Sequence, residues 1–207
     1  MDVAALIPVK AFSSAKQRLS HALTPAERVR FARWMAEGVV AAVTPMPVVV
    51  ACDDDEVRDW ARSLGADVAW GPGLGLNGAV DDGVRHIARA GFDHVIVSHA
   101  DLPLPHHLVH VPRPGVTTLV PDRRHDGTNV MSFPADVAVP ASYGGGSFRR
   151  HLAAAYDTGK RVVEVRVDLE LSLDVDTPAD LAHPLLSEVL PEWLPTIPAN
   201  RFTHVSR

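Results

Sequence analysis

Short apolar runs and amphipathic stretches alternate along the first half of this chain. Val3 to Val9 is an apolar strand candidate. Thr24-Pro25-Ala26-Glu27 then has the form of a capping box with proline at the first helical position, and predicts a helix running to about Val43. Pro47 to Ala51 reads as a buried strand. Asp53-Asp54-Asp55 caps a helix over about 54–64, Gly65 ends it, and Asp67 to Trp70 is the next strand. A glycine-rich turn over 71–78 feeds a helix over about 79–90, with Asn77 as its cap. Gly91 closes that helix before a strand beginning at His94. Four strands separated by three helices predict βαβ units and a mostly parallel sheet.

After residue 98 the rhythm changes. Val116–Pro121 and Asn129–Phe133 read as strands with no helix between them. Ser147 to Tyr156 reads as a helix and Arg161 to Val167 as a strand. This predicts an antiparallel element in a mixed sheet. The expectation is one α/β domain over residues 1–183, followed by a proline-rich tail over 184–207.

Composition narrows the class. Of the 207 residues, 46% are hydrophobic, enough for a folded core, and the net charge of −5 argues against general nucleic-acid binding. The lone Cys52 excludes an internal disulfide and a cysteine-built metal site. No apolar run reaches the roughly 18 residues of a membrane span, and the N-terminus reads as a strand rather than a signal peptide. A soluble, cytoplasmic protein is expected. The 11 histidines are scattered, and His106-His107 reads as solvated surface.

The chemistry concentrates where strands end. In an α/β protein, ligands collect beyond the carboxyl ends of parallel strands. His94 to Val97 leads to Asp101-Leu102-Pro103, which places a carboxylate there to hold Mg²⁺ against a phosphate, or simply to cap a turn. Leu173-Asp174-Val175-Asp176-Thr177-Pro178 has the same grammar. Strand alternation would send Asp174 and Asp176 to one face, while Thr177 and Pro178 can start a helix. The first strand–helix connection, from Pro8 to Ser20, carries Lys10, Lys16 and Arg18 among three serines. That suits a triphosphate or a basic surface loop equally, and it is not a Walker A loop. Gly73 to Gly78 matches G-x-G-x-x-G but follows a later strand, so nucleotide contact by Asn77 and Gly78 is preferred to a Rossmann dinucleotide site. Asp126-Gly127-Thr128-Asn129 is a tight turn entering a strand, with two polar side chains facing whatever lies above. Tyr143-Gly144-Gly145-Gly146-Ser147 leads into a helix and reads as an anion site, with a linker and a Ser147 cap as the plainer alternative.

Taken together, PVKAFSSAKQRLS, GLGLNGAVDDG, the Ala-Asp-Leu-Pro after a strand, DGTN, YGGGSFRRH and LDVDTPADL resemble one family. It is the 2-phospho-L-lactate guanylyltransferases, with their phosphoenolpyruvate-using actinobacterial members, of coenzyme F-420 biosynthesis. The first loop departs from the glycine-rich loop of the wider superfamily. The resemblance implies a single-domain, Rossmann-like, GT-A-like nucleotidyltransferase fold of three layers around a mixed sheet. It implies an enzyme that transfers GMP from GTP to the phosphate of phosphoenolpyruvate or 2-phospho-L-lactate and releases pyrophosphate. Carried over, Pro8, Lys10, Lys16, Asn77 and Gly78 bind the nucleotide, and Lys10, Lys16, Arg18 and Asp101 serve catalysis. Thr128, Gly144 and Ser147 bind the acid, and Asp101 with Asp174 or Asp176 holds Mg²⁺. The implied partners are GTP and a phosphorylated three-carbon acid, with neither nucleic acid nor membrane, and a homodimer is a possible assembly. The competing readings are a cytidylyl- or molybdenum-cofactor-type nucleotidyltransferase, a non-catalytic nucleotide- or sugar-binding module, and an NAD-binding oxidoreductase.

Overall fold

The computed structural model describes residues 1–159 and 162–195. Seven strands form one sheet: β1 (Val3–Pro8), β2 (Val48–Cys52), β3 (Asp67–Trp70), β4 (His94–Ser98), β5 (Val116–Pro121), β6 (Thr128–Pro134) and β7 (Val162–Val165), in the order β3-β2-β1-β4-β6-β5-β7. β1 pairs in parallel with β2 and β4, and β5 with β7, whereas β6 is antiparallel to both β4 and β5. The sheet is therefore mixed, as the change of rhythm after residue 98 predicts. Residue 161, the expected first residue of β7, and residues 196–207 of the expected tail lie outside the described residues.

Period-2 alternation builds the three layers. Ala5 and Ile7 of β1 face a core made with α1 (Pro25–Ala42) and α2 (Asp55–Ser63). Ala4 and Leu6 face the opposite core, made with α3 (Gly75–Arg89) and α4 (Ser147–Asp157). α1 buries Phe31, Ala32, Met35, Ala36, Val39 and Val40 at helical spacing. Its start is the predicted capping box: Glu27 N–H donates to Thr24 Oγ1 at 3.3 Å, and the Glu27 carboxylate accepts from Thr24 N–H at 2.7 Å. Asp54 caps α2 through Val57 N–H.

α3 corrects the sequence reading. It begins at Gly75 after Leu74, and Asn77 is not its cap but sits in its first turn. The apolar stripe Val80, Val84, Ile87 extends back to Leu76, which packs on the same core, and Gly75 at φ +63° turns the chain in early. Gly83, further along the helix, serves packing. A Cβ on Gly83 would lie 2.5 Å from the buried Leu6 Cδ1.

A third cluster closes one end of the molecule. Leu19, Leu23, Phe31, Met35, Leu104, Leu173, Val175 and Leu181 pack together with Leu186 and Leu194. Residues 184–195 thus wrap onto the body, and the Arg30 guanidinium lies 4.1 Å above the Trp193 ring.

Gly83→Ala should destabilise the fold by about 1–3 kcal/mol, because the added methyl overpacks the α3–β1 contact against the fully buried Leu6. Urea denaturation of the variant checks this; an unchanged midpoint would mean the helix shifts without cost.

Candidate active site

β1 is the switch point of the sheet, with β2 and β4 on either side, and the crevice beyond its carboxyl end holds a cavity of about 640 Å³. The loop after β1, the turn after β4 and the 174–177 loop form one wall. The 122–129 turn and the 143–147 loop form the other. β6 runs against its neighbours, so its first residue, Thr128, arrives at this end rather than the far one.

The first wall is organised around one ammonium group. Lys16 Nζ donates to Asp101 Oδ2 at 2.8 Å and to Asp176 Oδ1 at 3.1 Å, and its side chain is only 7% exposed. Lys16 adopts a left-handed backbone (φ 53°, ψ 39°), unusual for a residue with a Cβ, and this turns its side chain inward. Burial alone would lower the Lys16 pKa, but Asp101 and Asp176 overcome it and the value is raised. Burial would likewise raise that of Asp101, but the Lys16 charge and then His99 hold its carboxyl far below the usual range. Both groups are charged. Asp174 differs: burial first, then the Asp101 and Asp176 charges, push its carboxyl up to about 6.

Asp174 and Asp176 do not lie on a strand, contrary to expectation. They still share a face, because they alternate with Leu173 and Val175, which are fully buried in the third cluster. Asp180, in α5 (Pro178–Leu181), fixes this loop. Its carboxylate accepts from Asp176 N–H at 3.1 Å and Thr177 N–H at 2.7 Å, and also takes the Arg123 guanidinium.

The donor set fits a hard divalent cation. Three carboxylates face one cavity, and Asp101 Oδ1 is buried with no hydrogen-bond partner. Among the described residues, however, no three acidic, histidine or cysteine side chains are gathered as a ready ligand cluster. The Lys16 ammonium stands among the carboxylates instead, on the cavity wall. Lys10 lines the mouth with Pro8, and Arg18 is largely exposed with Nη1 3.8 Å from Asp176 Oδ2.

The second wall revises two expectations. The start of α4 is capped by Gly146 (φ 70°), and Ser147 is the first helical residue, 2% exposed, rather than the cap. Three amides at the start of this helix are also already engaged. Gly146 N–H donates to both Asp126 carboxylate oxygens at 3.1 Å, Ser147 N–H to Gly144 O and Phe148 N–H to Asp126 O. Arg150 braces the loop from outside by donating to the carbonyls of Ser142, Gly144 and Gly145. Thr128, Gly144 and Ser147 still line the cavity together. Asn129 also lines it, but its amide donates to Leu171 O at 3.0 Å and ties β6 to the loop leading to Asp174. Asn77 and Gly78 do not line the cavity. Asn77 Oδ1 accepts from Tyr143 N–H at 2.7 Å, so α3 positions the glycine loop.

Sequence reading missed several cavity residues, among them His99, Arg123 and Arg124. Signals were present. His99 stands two residues before Asp101, and Arg123-Arg124 sits in the same polar turn as Thr128.

Known proteins agree with this architecture. The family model described as guanylyl transferase CofC like matches residues 3–188. The chain belongs to this family. A phosphoenolpyruvate guanylyltransferase of Rubrobacter xylanophilus is 36% identical over 192 residues, 88% of this chain and 93% of that protein. That of Sphaerobacter thermophilus is 34% identical over 191 residues, 87% and 91% of the two chains. The 2-phospho-L-lactate guanylyltransferase of Methanothermobacter thermautotrophicus is 33% identical over 196 residues, 90% and 85%. Among solved structures, a nucleotidyl transferase from the same archaeon superposes with a TM-score of 0.60 at 14% identity over 87% of this chain and 94% of that one. The CofC-like chain thus has the nucleotidyltransferase fold expected of it. No helix among its described residues is long and apolar enough to cross a membrane.

Lys16→Met should destabilise the metal-free protein by about 2–3 kcal/mol. That is less than the loss of a fully buried pair, because Asp101 is 24% exposed. Added Mg²⁺ should raise the melting temperature of this variant more than that of the wild type, since no ammonium competes for the carboxylates. Equal shifts in the two proteins would remove the carboxylates as the cation site.

A second outcome concerns pH in the absence of divalent cations. The folded-state pKa of Asp174 is raised from an ordinary 3.8 to about 6, so the folded protein binds the extra proton and stability falls as pH rises through that window. Asp174→Asn should melt at a higher temperature than wild type above pH 6, and the gain should vanish below about pH 4. A gain of equal size at pH 4 and pH 8 would show that Asp174 is not perturbed.

Proposed function

We propose that this protein transfers GMP from GTP to the phosphate of phosphoenolpyruvate, releasing pyrophosphate, as a step of coenzyme F-420 biosynthesis. The observation that carries the reading is the division of one cavity into two chemically different walls. One has the cations of the first loop and the carboxylates Asp101, Asp174 and Asp176. The other has Thr128, Gly144 and Ser147. Phosphoenolpyruvate is preferred to 2-phospho-L-lactate because the relatives at 34% and 36% identity carry the former name and the one at 33% the latter.

The chemistry requires no protein nucleophile. A phosphate oxygen of the acid attacks the α-phosphorus of GTP. The new P–O bond forms as the bond from the α-phosphorus to the bridging oxygen breaks, and the electron pair leaves with pyrophosphate. The chain aligns the two substrates and neutralises charge. Lys10 and Arg18 supply positive charge along the triphosphate path. Lys16, next to Asp101, can turn from the carboxylates to the phosphates. Asp101, with Asp176 and Asp174, would hold Mg²⁺, which when bound supplies Lewis-acid stabilisation of the phosphoryl oxygens. Thr128 and Ser147 hold the acid with its phosphate toward GTP.

Pyrophosphate release should be seen with GTP and phosphoenolpyruvate, and be much slower with CTP, ATP or UTP. Asp101→Asn should cut turnover by about two to three decades. Ser147→Ala should raise the KM for the acid well above that for GTP, with little change in melting temperature because Ser147 is not the helix cap. Preference for CTP would replace the guanylyl reading with a cytidylyl one, and near wild-type turnover in Asp101→Asn would remove the metal assignment.

A further inference from the structure

A polar relay behind the acid wall determines which way the Thr128 hydroxyl points. His151 lies on α4 one turn after Ser147 and is wholly buried. Its two ring nitrogens have different partners. Ser142 N–H donates to Nε2 at 2.9 Å. A backbone amide can only donate, so Nε2 carries the lone pair. The neutral ring must then have its proton on Nδ1, and Nδ1 lies 3.0 Å from Thr128 Oγ1. Thr128 Oγ1 is therefore the acceptor of that bond. Among the described residues no acceptor takes the Thr128 hydroxyl proton, and Thr128 lines the cavity.

We propose that His151 is a positioning residue for acid recognition. As an Nδ1–H imidazole it fills the acceptor side of the Thr128 hydroxyl and leaves that hydroxyl to donate into the cavity, so that this position selects an anionic oxygen of the substrate. The inference rests on the assignment of Thr128 to the acid wall.

The surroundings keep the ring neutral. Burial, with the charges of Arg150 and His99, pushes its pKa down to about 4. The Tyr143 ring packs edge-on against it with centroids 4.9 Å apart, and His99 lies on the other side of Tyr143 at 5.0 Å. An imidazolium would set an Nε2 proton against the Ser142 N–H, so the geometry and the low basicity agree.

Two substitutions separate positioning from packing. His151→Leu removes both hydrogen bonds. His151→Asn keeps an amide donor where Nδ1–H stood but cannot reach Ser142. If His151 acts through Thr128, His151→Leu and Thr128→Val should each raise the KM for phosphoenolpyruvate about tenfold with that for GTP unchanged. The double variant should be no worse than Thr128→Val alone, and His151→Asn should stay close to wild type. An unaltered acid KM in Thr128→Val would bring down the acid-wall assignment and this inference with it. A raised KM in Thr128→Val with a normal one in His151→Leu would overturn the inference and leave the wall standing. His151→Asn behaving like His151→Leu would also overturn it, because the shared defect would then be the lost Ser142 contact. The wild-type protein supplies a check that needs no variant. Nitrogen-15 spectra of the labelled ring should show the Nδ1–H tautomer from pH 6 to 8, and an Nε2–H tautomer or an imidazolium in that range would refute the proposal.

Discussion

One buried ammonium group joins three distant parts of this chain. Lys16 comes from the loop after β1, Asp101 from the turn after β4 and Asp176 from a loop some 75 residues further on. None of these segments has regular structure of its own at that point. They meet because hydrophobic anchors lie close by in sequence: Leu19 after Lys16, Leu104 after Asp101, and Leu173 and Val175 around the aspartates, all in one cluster. Apolar burial brings the loops to the same end of the sheet, and the charge contact sets their final register. Like-charged carboxylates at this spacing would repel one another if left alone. Burial first, and then the Asp101 and Asp176 charges, push the Asp174 carboxyl up despite the nearby ammonium.

Much of the fold was legible because it depends on local signals. The Thr24–Glu27 box, the Asp54 cap and the stretch from Asp67 to Trp70 need only short-range chemistry, and each stands where the pattern puts it. The α3 start was misread because two signals compete there. Glycines suggest a turn, while Leu76 continues the apolar stripe, and burial of that stripe wins. In the site, the residues carried by strand ends and by alternation with buried leucines were readable. What those side chains and amides bond to was not. The alignment of Lys16 with Asp101, and of Asp126 with the Gly146 amide, are contacts between segments far apart in sequence, and no local period encodes them.

The two walls solve the same problem in different ways. Around Lys16, formal charges face each other on loops held by apolar anchors and by Asp180. Around Thr128, side chains are tied to backbone groups and to one another without facing charges: Asp126 on the glycine loop, Arg150 across its carbonyls, Asn77 on Tyr143 and His151 on Thr128. The first arrangement can exchange partners when phosphates arrive. The second is already set before any ligand enters, which favours discrimination over adaptability.

The reversed direction of β6 has a genetic consequence. Because that strand enters the crevice by its beginning, everything on the acid wall, from Asp122 to His151, is encoded in one uninterrupted stretch of 30 codons. The charged wall is drawn from three separate places in the chain. On the proposed reading, recombination within that single stretch would exchange the acid partner between relatives while leaving the Lys16 wall whole, a modularity that an all-parallel sheet, with every strand offering only its end, would not provide.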